Sequence, residues 1–269
     1  MLNEVTKNLF IAEINKFLPE DTQSKLISAM RYSLLAPAKY VRPFLVIASS
    51  QVFNVKTEKV MPIAVAIECV HAYSLIHDDL PCIDNADIRR NQLSCHKKFD
   101  EATAVLAGNA LLTFAFKILS SLDKNNHRCC EIIKILAQAI GVKGMIEGQI
   151  LDLDTNLDFS KIKKIHLLKT AKLFACSCEI GGIMGNATVK QREALHNYGI
   201  NLGLIFQAKD DIEDYKKKNE ISNLMFLLGK SRTKRYTENL FKAALNNLSK
   251  LSGEVHHLYD LLNRIKSDD

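Results

Sequence analysis

The segment from His71 to Arg90 constrains this chain more than any other. An apolar pattern with helical spacing runs from Met61 to Ile76 and leads directly into Asp78 and Asp79. The following residues break the helix or carry charge: Pro81, Asp84, Asp87, Arg89 and Arg90. Crowded carboxylates repel one another and lose solvation, so they persist where a cation compensates, while the guanidinium fork matches phosphate oxygens. The segment therefore predicts a site for a metal and a diphosphate.

Helical spacing of apolar residues dominates the rest of the chain and predicts an all-α fold. Of the 269 residues only eleven are glycine and five proline, no run alternates over strand length, and 47% are hydrophobic, which is ample for a core. No linker or repeat marks a boundary, so residues 1–269 are expected to form one domain. The main helices are predicted at 1–18, 59–79, 101–122, 129–155, 161–184, 189–216 and 237–265.

Composition also narrows the possible partners. The net charge of +6 is spread over many lysines and gives no directed argument for nucleic acid. No N-terminal signal pattern is visible, and no apolar run is expected to reach the roughly eighteen residues of a membrane span. The protein is therefore expected to be soluble and cytoplasmic, without stable membrane insertion. The seven cysteines lack zinc-site spacing, which favours buried free thiols.

A second acidic cluster lies more than a hundred residues beyond the first. Its polar members fall at positions i, i+3, i+4 and i+7 of a predicted helix, which places their side chains along one stripe: Gln207, Asp210, Asp211 and Asp214. Taken alone, such a cluster is as well explained by a solvated acidic helix end. Paired with the first cluster, it indicates ligand binding.

Pro81 explains how two aspartates of the first cluster share one site. Asp78 and Asp84 are six residues apart, which on an unbroken helix points them to different sides. A proline between them ends the helix and lets the chain loop back, bringing Asp84 toward Asp78. Mg2+ suits such a site because it binds through one or two carboxylates together with substrate phosphate oxygens.

Two weaker signals leave their alternatives open. Lys39 and Arg42 precede an apolar run, where free N–H groups at a helix start attract anions, although this pentapeptide alone favours a solvated charge pair at a helix end. Gln149 and Asp152 share a helix face and are either ligand contacts or a capped, solvated helix end.

Over most of its length the chain resembles the trans-prenyl diphosphate synthases, most closely the bacterial farnesyl diphosphate synthases. Five motifs carry the resemblance in order: Lys39-x2-Arg42-Pro43, Asp78-Asp79-x4-Asp84 followed by Arg89-Arg90, Gly148-Gln149-x2-Asp152-Leu153, Lys169-Thr170, and Phe206-Gln207-x2-Asp210-Asp211-x2-Asp214. What the resemblance implies is an all-α, single-domain bundle of about ten helices around a central cavity. It further implies a homodimer and a prenyl transfer from an allylic diphosphate to isopentenyl diphosphate, giving farnesyl diphosphate.

The resemblance also implies roles for particular residues. Mg2+, with more than one ion per active site, is expected on Asp78, Asp79, Asp84, Asp210, Asp211 and Asp214. Catalysis is expected to depend on Asp78, Asp84, Lys169 and Asp210. The allylic diphosphate is expected to contact Arg89, Lys169, Thr170 and Gln207, and isopentenyl diphosphate to contact Lys39, Arg42, His71 and Arg90. In the farnesyl type, a small residue and an aromatic one helical turn before the first aspartate stop elongation, here Ser74 and Tyr73.

Departures from the family pattern keep other functions open. Pro37 to Tyr40 replace two glycines and a basic residue, and the region 215–230 is shortened. An impaired or non-catalytic subunit of a hetero-oligomeric synthase, or a geranyl or geranylgeranyl diphosphate synthase, are therefore alternatives. A carboxylate-bridged di-iron bundle is a rival from another class, because Glu68-x2-His71 and Glu193-x2-His196 have its ligand spacing.

Overall fold

The computed structural model describes residues 2–21, 23–122, 127–154, 158–218 and 224–267. Its fold is all-α, as predicted, with one short hairpin. The helices form two compact units: residues 1–44 with 57–133 make unit 1, and residues 45–56 with 134–269 make unit 2. A single domain over the whole chain remains a prediction.

Unit 1 is built around one long apolar helix. Its helices are α1 (Glu4–Phe17), α2 (Lys25–Leu34), α4 (Thr57–Asp78), α5 (Cys95–Lys98) and α6 (Glu101–Ser120), and its hairpin consists of β1 (Ile88–Arg89) and β2 (Gln92–Leu93). Helices α3 (Val41–Gln51) and α7 (His127–Ile140) contribute to both units. Most of α4 is buried and packs chiefly on α6, as its apolar circumference predicts.

Unit 2 is organised around α11, which packs extensively on both α10 and α12. Its elements are α8 (Met145–Asp152), α9 (Phe159–Ile165), a π-helical segment (His166–Ala171), α10 (Lys172–Met184), α11 (Val189–Lys218), α12 (Leu224–Leu248) and α13 (His256–Ser267). Glycine permits the close crossing of α10 and α11, since a Cβ on Gly199 would lie 2.5 Å from Ala175 Cα. The sequence thus places small residues where two core helices meet.

Several predicted helix boundaries are wrong. The run predicted at 129–155 is two helices, α7 and α8, and the one predicted at 237–265 is interrupted between α12 and α13. Within α12, Gly229 has φ 72° and ψ 164°, a conformation available mainly to glycine, which breaks the helix there. The hairpin was not predicted because its strands have two residues each, too short for an alternating pattern.

Two other expectations need correction. Among the described residues, α4 and α6 are long and apolar enough to cross a membrane, with 72% and 39% of their most apolar windows buried, so the expectation of no such run is wrong. Length and composition do not distinguish a span from a core helix, and its burial favours a core helix for α4. All seven cysteines are free thiols, as predicted, although Cys82 and Cys130 are exposed rather than buried.

Candidate active site

The chain turns back on itself immediately after α4. The helix ends at Asp78, and the backbone N–H of Asp84 then donates to the Asp78 carbonyl at 2.9 Å, while Ala86 N–H donates to the Asp79 carbonyl at 3.2 Å. Pro81 lies exposed in this turn. The backbone return predicted from Pro81 is confirmed, and it brings the main chain of Asp84 to that of Asp78.

Asp79 differs from Asp78 and Asp84 in its surroundings, because its side chain is buried against an arginine. Only 2% of Asp79 is exposed, and its Oδ1 accepts a hydrogen bond of 2.8 Å from Arg89 Nε and a second from Arg89 Nη2. Burial raises the pKa of the Asp79 carboxyl, and the ion pair with Arg89 opposes that shift. Two residues predicted to bind metal and diphosphate therefore bind each other, whereas Asp78 is half-buried and Asp84 is exposed.

The hairpin that carries both arginines turns through Arg90 and Asn91. Their φ angles are 55° and 62°, the pair of positive values that a two-residue type I′ turn needs. Asparagine tolerates this conformation well, whereas a long side chain adopts it only where its surroundings demand it. Arg90 Nη2 donates to Glu68 Oε1 at 3.3 Å, and this contact holds the guanidinium over α4.

Arg90, Arg42 and His71 converge on one buried carboxylate. Glu68 is 1% exposed, and burial raises its pKa while Arg90 and Arg42 pull it down. Arg42 Nη1 lies 3.0 Å from His71 Nε2. Enclosure by the protein and then the charge of Arg42 hold the pKa of His71 well below its usual range, so His71 is neutral at pH 7 and its Nε2 can accept from Arg42.

Lys39 stands apart from this cluster. It is exposed, directly before Tyr40, which is 4% exposed and has φ 47°. The Tyr40 ring packs on Phe10, with centroids 5.0 Å apart. Tyr40, which stands where the family usually has a basic residue, is thus an aromatic residue of the core. Of the four predicted isopentenyl diphosphate contacts, unit 1 brings three together.

The two predicted chain-length residues lie on α4, one turn before Asp78. Tyr73 is 5% exposed, its ring stands edge-on to His77 at 5.6 Å, and its hydroxyl finds no hydrogen-bond partner among the described residues. Burial raises the pKa of Tyr73 to about 12. Ser74 donates to the His71 carbonyl at 2.9 Å. A Cβ on Gly108 of α6 would lie 2.2 Å from His77 Nε2, so the close approach of α6 fixes the ring against which Tyr73 rests.

In unit 2, α8 and the π-helical segment approach closely at a glycine. A Cβ on Gly148 would lie 2.4 Å from the backbone nitrogen of Lys169, which no alanine could tolerate without a shift. Lys169 Nζ pairs with Asp152 Oδ2 at 2.6 Å across the same two elements. Both polar atoms of the Gln149 amide are buried without a partner in the described part of the chain. The Gln149 amide therefore faces inward, whereas the Asp152 side chain is 33% exposed and pairs with Lys169. Single π turns are frequent at functional sites.

The second acidic cluster divides in the same way as the first. Thr170 Oγ1 donates to Gln207 Oε1 at 2.9 Å, and Gln207 Nε2 donates to Asp211 Oδ1 at 3.4 Å. Asp211 is 7% exposed, while Asp210 is half-buried. Asp214 lies on α11, but its side chain is outside the described part of the structure. Two members of the predicted stripe, Gln207 and Asp211, thus belong to a chain of side-chain hydrogen bonds that starts at Thr170, and Asp210 is the next residue to it in sequence.

Sequence reasoning missed the structural partners of these residues. The spacing to His71 is the reason for which the sequence analysis names Glu68, yet a charge inside an apolar helix is itself a signal for a buried ion pair. His166, whose Nε2 lies 3.5 Å from Asp211 Oδ2, gave no signal. The di-iron alternative is not supported, because Glu68 contacts Arg90, His71 contacts Arg42, and His196 contacts Glu179.

The donor set suits a hard cation that takes few protein ligands. Within the described residues, no three His, Cys, Asp or Glu side chains converge as a metal site. Mg2+ needs only one or two carboxylates, since waters and substrate phosphates complete its shell. Asp78 and Asp84, joined through their main chains, fit that requirement, and buried Asp79 does not offer a free oxygen pair.

Comparison with known proteins identifies the relatives of this chain. The polyprenyl synthetase family matches residues 23–226. A farnesyl diphosphate synthase of Haemophilus influenzae is 38% identical over 263 residues, covering 88% of this chain and 89% of that protein. A putative chloroplastic geranylgeranyl pyrophosphate synthase of Arabidopsis thaliana is 44% identical over 201 residues, covering 71% of this chain and 56% of that protein. The crystal structure of an FPP/GFPP synthase from Zymomonas mobilis superposes with a TM-score of 0.90 at 37% identity, covering 97% of this chain and 96% of that one.

The all-α fold and these relatives together define a short-chain prenyltransferase. The chain belongs to the polyprenyl synthetase family.

Proposed function

We propose that this protein is a Mg2+-dependent farnesyl diphosphate synthase of the cytoplasm, which condenses isopentenyl diphosphate with dimethylallyl and geranyl diphosphate. The observation that carries the proposal is the end of α4, where the backbone return places Asp84 beside Asp78 and the following hairpin holds Arg89 and Arg90. Carboxylates for a metal and guanidinium groups for phosphate thus come from one continuous segment.

In this proposal Asp78 and Asp84 in unit 1 and Asp210 in unit 2 hold Mg2+. When bound, the metal supplies positive charge that stabilises the departing diphosphate more than the intact substrate. Lys169 adds a fixed cation in unit 2, oriented by Asp152 at 2.6 Å. Asp79 orients Arg89, since two of the guanidinium N–H groups already bond to it. No side chain needs to act as a nucleophile, so positioning and charge account for catalysis.

The cluster of Arg42, His71 and Arg90 is proposed to bind isopentenyl diphosphate. Arg90 Nη1 is buried and has no hydrogen-bond partner among the described residues, so it retains a donor for an anion. Neutral His71 fixes Arg42 without adding a competing charge. One carboxylate, Glu68, faces two arginines, and this leaves a net positive charge that a diphosphate can compensate.

Tyr73 supports farnesyl diphosphate as the product, because a large buried ring lies one turn before Asp78 and would block a longer chain. Tyr73→Ala is expected to shift products beyond the farnesyl chain. Tyr73→Phe is the matched control, since it keeps the ring and removes only an unpartnered hydroxyl, and its products should stay unchanged. Product analysis by chromatography and mass spectrometry decides the assignment, which an unaltered product spectrum in Tyr73→Ala would overturn.

The activity itself is tested by incubating the purified protein with Mg2+, isopentenyl diphosphate and each allylic diphosphate in turn. Farnesyl diphosphate is the expected main product. Geranylgeranyl diphosphate would support the activity named for the Arabidopsis relative. Absence of product from every primer would refute the enzyme and favour a non-catalytic subunit of a hetero-oligomeric synthase.

We further propose a homodimer. The resemblance to the family implies it, and α6 exposes apolar side chains at Val105 and Leu106, which are 38% and 59% exposed. Sedimentation equilibrium should give twice the mass of one chain, and a monomer at micromolar concentration would contradict the proposal.

A further inference from the structure

Asp211 is a buried member of the second acidic cluster. It is 7% exposed, and both of its oxygens face protein groups. Oδ1 accepts from Gln207 Nε2 at 3.4 Å, and Oδ2 accepts from the backbone N–H of Leu224 at 2.9 Å. A carboxylate whose oxygens serve two donors inside the protein is poorly placed to coordinate a solvated cation.

His166 supplies a third neighbour to the same carboxylate. Its Nε2 lies 3.5 Å from Asp211 Oδ2, the residue is 6% exposed, and its Nδ1 finds no partner among the described residues. Burial lowers the pKa of His166 to about 4, so the ring is neutral at pH 7. The His166 ring therefore packs against the Asp211 carboxylate and helps to enclose it.

Leu224 is the first residue of α12, and both its amide and its side chain are fixed to α11. The amide bonds to Asp211, and the side chain, which is fully buried, packs with Ala208 of α11 and Ile162 of α9. An N–H in the first turn of a helix has no partner within the helix, so a carboxylate there acts as a cap. Asp211 thereby links α11, the π-helical segment and the start of α12.

We propose that Asp211 is a positioning residue rather than a metal ligand: it caps the part of α12 that precedes the break at Gly229 and, through Gln207 and Thr170, fixes the face of α11 that carries Asp210. The inference rests on the proposed function of Asp210, and it differs from the expectation that all three aspartates of this cluster bind metal. This positioning depends on the shape of the Asp211 side chain and on its acceptor oxygens more than on its charge. Asparagine, which keeps one acceptor oxygen, should therefore preserve it in part.

The test compares Asp211→Asn, Asp211→Ala and Asp210→Asn, the last being the matched control on the adjacent residue. One measurement is the Mg2+ concentration that gives half-maximal turnover. Asp210→Asn should raise it about tenfold or more, whereas Asp211→Asn should stay within about twofold of wild type. The second measurement is hydrogen exchange at the Leu224 amide, which should be about tenfold faster in Asp211→Ala, intermediate in Asp211→Asn and unchanged in Asp210→Asn.

These measurements separate the inference from the proposed function. An inactive wild-type protein would refute the proposed function, while the exchange of the Leu224 amide would still report on the cap. If Asp211→Asn raised the Mg2+ requirement as strongly as Asp210→Asn, Asp211 would be a metal ligand. Unchanged exchange at Leu224 in Asp211→Asn and Asp211→Ala would overturn the cap. Asp211→Asn also keeps the test decisive if the alanine variant fails to fold.

Discussion

Removing the Glu68 carboxylate should strongly destabilise unit 1. Glu68 is 1% exposed and lies 3.3 Å from Arg90 Nη2, a separation that corresponds to an attraction of about 5 kcal/mol at an effective dielectric constant of about 20. Burial offsets part of this attraction, as the raised pKa of Glu68 shows. Removing one partner, however, leaves Arg90 and its neighbour Arg42 without the charge that compensates them.

Glu68→Ala is therefore expected to lower the free energy of unfolding by about 3–5 kcal/mol. Glu68→Gln keeps an acceptor and the shape of the side chain, and should lower it by about 1–3 kcal/mol. Urea denaturation followed by circular dichroism measures both. Inorganic diphosphate should recover more stability in Glu68→Gln than in wild type, because the added anion replaces the missing charge.

A double-mutant cycle with Arg90→Ala isolates the pair. If the two residues depend on each other, the double variant loses less stability than the two single variants together, by about 0.5–3 kcal/mol. Additive losses would refute the argument, because they would mean that Glu68 and Arg90 contribute independently. Glu179→Gln is a control in unit 2, where the carboxylate faces Arg192 and a partly exposed His196 and a smaller loss is expected.

Two further changes test unit 2. Gly148→Ala would place a methyl group 2.4 Å from Lys169 N, so it should lower the free energy of unfolding by about 1–3 kcal/mol. It should also displace Lys169 from Asp152 and so lower turnover. The control Ile150→Ala, at a residue of the same helix that is 62% exposed, should change neither the stability in denaturation assays nor the turnover in product assays. The pKa of His166 is lowered to about 4 in the folded protein, whereas in the unfolded chain it is about 6.5. As the pH falls from about 6.5 to 4, the unfolded chain therefore binds a proton at His166 that the folded protein does not, and the free energy of unfolding should drop by about 3 kcal/mol. His166→Gln should remove that part of the pH dependence, and identical pH profiles of the two proteins would contradict it.

The sequence was sufficient wherever the signal was local. The apolar circumference of α4 predicted a core helix, and the break at Pro81 predicted the return of Asp84 to Asp78, because both depend on a few neighbouring residues. The division of 129–155 into α7 and α8 was not predicted, because the helical spacing of apolar residues continues on both sides of the short interruption at 141–144. The π-helical segment was not predicted either, because over one turn its sequence has no feature that distinguishes it from an α-helix.

The roles within each aspartate cluster could not be predicted for a different reason. Neighbouring carboxylates on one helix look equivalent in a sequence, and only distant partners distinguish them. Asp79 is buried because Arg89 returns to it from the hairpin, and Asp211 is buried because the Leu224 amide reaches it from α12. Contacts between residues far apart in the chain therefore decide which aspartates are buried.

Three of the five cations predicted to bind diphosphate share one arrangement, in which a carboxylate holds the cation: Asp79 holds Arg89, Glu68 holds Arg90 and Asp152 holds Lys169. A lone buried cation would be costly to the unliganded protein, and a lone exposed one would lose side-chain entropy on binding. A carboxylate partner reduces both costs because it compensates the charge and fixes the rotamer. An arginine has five N–H donors, of which Asp79 engages two on Arg89, so the paired side chain can still donate to phosphate. The structural carboxylates thus make the cations rigid without consuming their capacity to bind an anion, which is what transition-state stabilisation by charge requires.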